Sequence, residues 1–137
     1  MISARNQIKG VVAEVKEGAV NGIVKVDAGE GNMISATISM DSIKELGIVA
    51  GKEVTAVIKA TSVMMANGKL NISARNQLTG TVSAINEGAV NAIVKLDVAG
   101  GICITSTISM EAVKDLGLEV GKEATAIIKA TSVMISA

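Results

Sequence analysis

The chain has 137 residues, with 13 basic and 13 acidic side chains, no His, no Trp, Tyr or Phe, no Pro and one Cys. Balanced charge and the lack of stacking rings argue against a nucleic-acid partner, which calls for clustered positive charge or aromatic platforms. Without His, and with a single thiol, the chain can form neither a zinc finger nor a Cys–His nucleophile nor a disulfide framework.

Cys103 lies between Ile102 and Ile104 and is expected to be a small buried apolar residue. No apolar run approaches the roughly 18 residues of a membrane span, and the opening MISARNQIKG lacks the apolar stretch of a leader peptide. A soluble, cytoplasmic protein without a membrane partner is expected.

Slid against itself, the sequence gives one register, an offset of 70 without a gap. Ser3 meets Ser73, Gly18 meets Gly88, Thr37 meets Thr107 and Lys59 meets Lys129. Two units are therefore expected, 1–67 and 71–137, with Gly68–Leu70 as the linker. So short a connection makes them close neighbours, not beads on a tether.

Within the first unit, IKGVVAEV (Ile8–Val15) reads as a Val-rich strand leading into the turn KEGAVN (Lys16–Asn21). GIVKVD (Gly22–Asp27) follows, so the pair reads as a hairpin. AGEGN (Ala28–Asn32) is a Gly-rich turn and MISATIS (Met33–Ser39) a third strand. SMDSIKELG (Ser39–Gly47) is the helical signature: Ser39 as N-cap, Asp41 in the first turn, Ile43 and Leu46 on one face, Gly47 as the stop. VTAVIKATSVMM (Val54–Met65) supplies one long or two short final strands. The second unit keeps the pattern, with SMEAVKDLG (Ser109–Gly117) as its helix. The fold expected is all-β with one short helix per repeat, two small Greek-key barrels of the OB type in tandem. Aromatic-free cores this thin call for packing against another copy.

Three polar elements recur. SARNQ stands at Ser3–Gln7 and Ser73–Gln77, TISM at Thr37–Met40 and Thr107–Met110, and IKATSVM at Ile58–Met64 and Ile128–Met134, which places Lys59 and Lys129 in apolar strands. Each has a plain structural explanation: a surface arginine, an edge-protecting lysine, a capping serine. Together they suit a tetrahedral dianion. Arg5 and Lys59 supply two positive charges, Ser3, Ser39 and Ser42 supply hydroxyls, and a helix start supplies N–H groups. No nucleophile is paired with a base, so binding without catalysis is expected.

ISARNQ, a GAVN turn, TISM followed by Asp or Glu, LG at the helix end, GKE and KATSVM occur in that order in both units. In this the chain resembles the molbindins, the Mop-domain molybdate-binding family, in tandem di-Mop form. The resemblance implies OB-type barrels, a compact homo-oligomer (three two-unit chains making six barrels), and molybdate or tungstate held at subunit or repeat interfaces, with no other cofactor and no directly ligated metal. The implied main site takes Ser3, Ala4, Arg5, Lys59 and Ala60 from one unit and Ser39, Met40 and Ser42 from the helix start of another. The second copy offers Ser73, Ala74, Arg75, Lys129 and Ala130, with Ser109 and Met110; Ser42 corresponds to Ala112, one hydroxyl fewer. A second implied site uses the turns Gly18, Ala19, Val20, Asn21 and Gly88, Ala89, Val90, Asn91 near the oligomer axis, although a Gly–Asn turn needs no ligand to explain it. Storage or buffering of molybdate is the function implied, with a ligand-sensing regulatory module acting through a partner protein as the alternative.

Overall fold

A computed structural model describes residues 2–137; Met1, the first residue of the expected first unit, lies outside them. The first repeat runs β1 (Asn6–Lys16), β2 (Asn21–Asp27), β3 (Met33–Ser39), α1 (Met40–Glu45), β4 (Glu53–Ile58), a 3-10 turn (Ala60–Ser62) and β5 (Met64–Ala66). The second repeats the order: β6 (Asn76–Glu87), β7 (Asn91–Val98), β8 (Ile102–Ser109), α2 (Met110–Leu116), β9 (Glu123–Ile128), a 3-10 turn (Ala130–Ser132) and β10 (Met134–Ser136). The expected β fold with one short helix per repeat is what forms, its two expected barrels appearing as two curled five-stranded sheets.

The two five-stranded sheets have the orders β10-β4-β1-β2-β3 and β5-β9-β6-β7-β8. Each is closed by the last strand of the other repeat: Met134 pairs with Val57, and Met64 pairs with Ile127. The segment expected as one long or two short strands is thus broken by a 3-10 turn, and its second part leaves for the neighbouring sheet. Lys59 and Lys129 consequently stand in no strand. Each sits exposed just past β4 or β9, at the entry to the 3-10 turn.

Curling of the sheets has a local cause. The register slips at Val12/Glu14 and at Val82/Ala84, a bulge that bends β1 and β6 and raises their twist. Just before each bulge the crossing strand comes so close that only Gly fits. A Cβ on Gly10 would lie 2.6 Å from the Asp27 carbonyl oxygen, and one on Gly80 would overlap that of Asp97.

The inward faces follow the alternation of the strands. Val24, Val26, Ile34 and Ala36 of the first repeat are fully buried, as are Val94, Leu96 and Ile104 of the second. They belong to one continuous aliphatic cluster that spans both repeats. Sharing a core and exchanging final strands is how two thin, aromatic-free units reach adequate burial.

Cys103 corrects the expectation made for it. It lies on β8 but points outward and is exposed, opposite Asp97 of β7. Strand alternation explains this: its neighbour Ile104 takes the inward position at 0% exposure. Shielding of the thiol, then the charge and hydrogen bond of Asp97, push its pKa up, with Lys95 opposing.

Candidate functional site

Register brings the cations together. β1 and β4 are antiparallel with Asn6 opposite Ile58 as the last pair, and the next residues along, Arg5 and Lys59, line one hollow. The same register, Asn76 opposite Ile128, brings Arg75 and Lys129 to the lining of a second hollow. Among the described residues the ion pairs are Lys25–Glu14 and Lys122–Glu119, and none of the four converging cations takes part in one. Like charges held close together repel, and an anion between them removes that repulsion.

Each pair opens onto a hollow of about 320 Å³. The first is lined by Ser3, Ala4, Arg5, Lys59, Ala60 and Thr61, together with Ile2 and with Met134 from the other repeat. The second is lined by Ser73, Ala74, Arg75, Lys129, Ala130 and Thr131, with Ile72, and with Thr37 and Met64 from the first repeat. Met64 and Met134 were not legible as site residues, because they arrive through the strand exchange; Thr37 was not, because it reaches the hollow from β3 by the packing of one repeat on the other. Thr37 had a faint signal, its place in the repeated TISM.

The remaining candidates lie elsewhere. Ser39, Met40 and Ser42, and their counterparts Ser109 and Met110, line neither hollow in the single chain. They meet the GAVN turns instead: Asn21 pairs with Ser39 and Asn91 with Ser109 across the strands. Met40 N–H donates to Val20 O at 2.8 Å, and Met110 N–H to Val90 O at 2.8 Å. Helix start and turn thus make one end of the hairpin. Ser39 caps α1 as expected, accepting from Ser42 N–H at 3.1 Å, and its hydroxyl donates to Ser42 Oγ at 2.9 Å. Two of the first three N–H groups of α1 are therefore already engaged, and the helix start offers an anion fewer backbone donors than an open one. Ser109 accepts from Ala112 N–H at 3.0 Å, with no second hydroxyl beside it. The turns themselves are open to solvent, Val20 at 74% and Val90 at 73% exposure.

The amides of SARNQ turn away from the hollows. Asn6 and Asn76 are 1% exposed, and both bond across to the opposite repeat. Asn6 Nδ2 donates to Thr105 O at 2.8 Å while Thr105 N–H donates to Asn6 Oδ1 at 2.7 Å. Asn76 makes the equivalent pair with Ser35, at 2.9 and 2.7 Å. Gln77 brackets the linker, donating to Leu70 O and accepting from Leu70 N–H, each at 2.7 Å. Gln7 donates locally to Ala4 O at 3.2 Å.

Fold and hollows together define a tandem-repeat β protein whose unpaired cations line pockets built jointly by its two halves. The family model that matches is the TOBE domain, over residues 2–65 and again over 72–135. The chain belongs to the TOBE-domain family, with two copies of the Mop type in tandem. A crystal structure of the cytoplasmic molybdate-binding protein ModG, with molybdate bound, superposes with a TM-score of 0.96 at 47% identity, covering 98% of this chain and 97% of that one. The molybdenum-pterin-binding protein MopA of Rhodobacter capsulatus is 40% identical over 98% of this chain and 51% of its own length. The molybdenum transport protein ModE of Herbaspirillum seropedicae is 37% identical over 98% of this chain and 51% of its own. A probable molybdenum-pterin-binding protein of Haemophilus influenzae is 64% identical over 66 residues, 48% of this chain and 96% of that protein. This chain spans about half the length of the two longer relatives.

Proposed function

We propose that the chain binds molybdate, and tungstate as its near-identical analogue, and that it stores or buffers the oxyanion in the cytoplasm without transforming it. One observation carries this reading: Arg5 and Lys59, and again Arg75 and Lys129, converge on hollows with no carboxylate to neutralise them. Two cations match a dianion, and Ser3 or Ser73 adds a hydroxyl donor. The close likeness to ModG, described as a cytoplasmic molybdate-binding protein, supports the choice of ion and of compartment.

The Ser39–Ser42 and Ser109–Ala112 helix starts lie away from both hollows in one chain, so they serve the site only when another chain presents them. The reading therefore includes a homo-oligomer, most simply a trimer of two-unit chains, with the exposed GAVN turns near its axis as a second oxyanion site. Each two-unit chain is the unit of assembly, its repeats 1–67 and 71–137 joined by Gly68–Leu70.

Calorimetric titration with molybdate, tungstate and sulfate tests the ligand. All three are tetrahedral dianions at neutral pH, so charge alone does not separate them. Binding of the two larger ions with exclusion of the smaller sulfate is expected; equal binding of sulfate would reduce the hollows to general anion traps.

A further inference from the structure

Asn6 and Asn76 do something that an ordinary strand residue does not. β3 and β8 are the outer strands of their sheets, and the backbone N–H and C=O of Ser35 and Thr105 face away from their strand partners. A primary amide offers one donor and one acceptor side by side, as a neighbouring peptide group would. Asn6 therefore completes β8, and Asn76 completes β3, each over one residue and each from the opposite repeat. Both amides are fully buried, and among the described residues no buried side-chain nitrogen or oxygen lacks a partner.

Position along the chain gives this clamp its consequence. Asn6 is the first residue of β1 and lies opposite Ile58, the last of β4. Arg5 and Lys59 follow immediately, at strand ends that like charge tends to push apart. Asn76 stands in the same relation to Arg75 and Lys129. Its partner Ser35 is two residues from Thr37, on the same face of β3, and Thr37 lines the Arg75–Lys129 hollow. The Asn76 clamp thus ties Arg75 and Lys129 to a wall supplied by the other repeat, while the Asn6 clamp anchors the start of β1, beside Arg5, to β8.

We propose that Asn6 and Asn76 are positioning residues for oxyanion binding, each holding its Arg–Lys pair in place by pairing with the edge strand of the opposite repeat. The inference rests on the oxyanion reading above and is tested against it separately. Molybdate affinity is measured by calorimetry in two backgrounds: Arg75→Ala, which leaves the Arg5 hollow to report, and Arg5→Ala, which leaves the Arg75 hollow. In the Arg75→Ala background, Asn6→Ala is expected to weaken binding about 10–100-fold, the range typical of groups that orient a ligand's direct contacts, while Asn76→Ala changes it little. In the Arg5→Ala background the two variants exchange roles. Asn6→Asp keeps the size and the bond from Thr105 N–H, and serves in place of Asn6→Ala should the latter not fold. Weakening of the same size in both backgrounds means general loosening, and no weakening in either means no coupling; each overturns the positioning role while leaving the oxyanion reading intact. If neither Arg5→Ala nor Arg75→Ala alters molybdate binding, the oxyanion reading fails and the positioning role falls with it.

Discussion

Arg5 and Lys59 share a hollow because Asn6 pairs with Ile58 just before them, and neither cation meets a carboxylate. Arg5→Ala should weaken molybdate binding at its hollow by about 1.5–3 kcal/mol, the usual worth of a hydrogen bond to a charged group. The empty protein should be unchanged or slightly more stable, since repulsion between the two cations is relieved. Titration calorimetry paired with urea unfolding reads both effects, and an unchanged titration would return Arg5 to the plain surface residues. Cys103 gives a second test at this scale. Its thiol pKa is pushed up by shielding and by Asp97, and only the thiolate attacks an alkylating agent. Iodoacetamide should therefore modify Cys103 more slowly at neutral pH than it modifies a free thiol, the gap closing as pH rises through the raised pKa. A rate equal to that of a free thiol at pH 7 would contradict the assignment.

At the scale of elements, local signals were legible and pairing partners were not. Met33–Ser39 reads as a strand from its alternation, and Ser39 reads as a cap because its hydroxyl is set just ahead of a helical face; both hold in the structure. The exchange of β5 and β10 was hidden because the repeats are nearly identical there. Met64 could pair with its own β4 or with β9 on sequence alone, and nothing local distinguishes Val57 from Ile127 as a partner. Hence Met64 and Met134 were missed at the hollows, and Thr37 with them because only inter-repeat packing brings β3 there, whereas Ser3, Arg5 and Lys59 came from motifs that pair within one repeat. Gly10 tests the geometry of the curl. Gly10→Ala forces a Cβ against the Asp27 carbonyl, and overpacking of this kind should lower stability by about 1–3 kcal/mol; a urea midpoint equal to wild type would show that β2 can give way. The helix starts differ by one hydroxyl, Ser42 against Ala112. If they complete sites on another chain, two classes should appear among the hollow sites in the titration, and Ala112→Ser should merge those two. A single class in the unaltered protein would remove the helix starts from the ion's surroundings.

The whole molecule is two repeats that share one aliphatic core and each other's final strands. Neither hollow is complete within its own repeat, since Met134 lines one and Met64 and Thr37 line the other. Outside that core, valines remain largely in solvent: Val20 and Val90 at the turn tips, Val49 at 62% and Val120 at 63% exposure. These four exposed valines, with helix starts that line neither hollow of their own chain, are the basis for proposing an assembly of several chains. In the proposed assembly, a dianion between the converging cations would link stability to ligand. A dianion that binds only the folded, assembled state stabilises it by about 2.7 kcal/mol per site at a hundredfold excess over Kd. Native mass spectrometry during a molybdate titration therefore reads ligand and assembly together. The expected result is a homo-oligomer, a trimer in its simplest form, that takes up molybdate in whole-assembly increments. A monomer that retains full molybdate binding at micromolar concentration would contradict it.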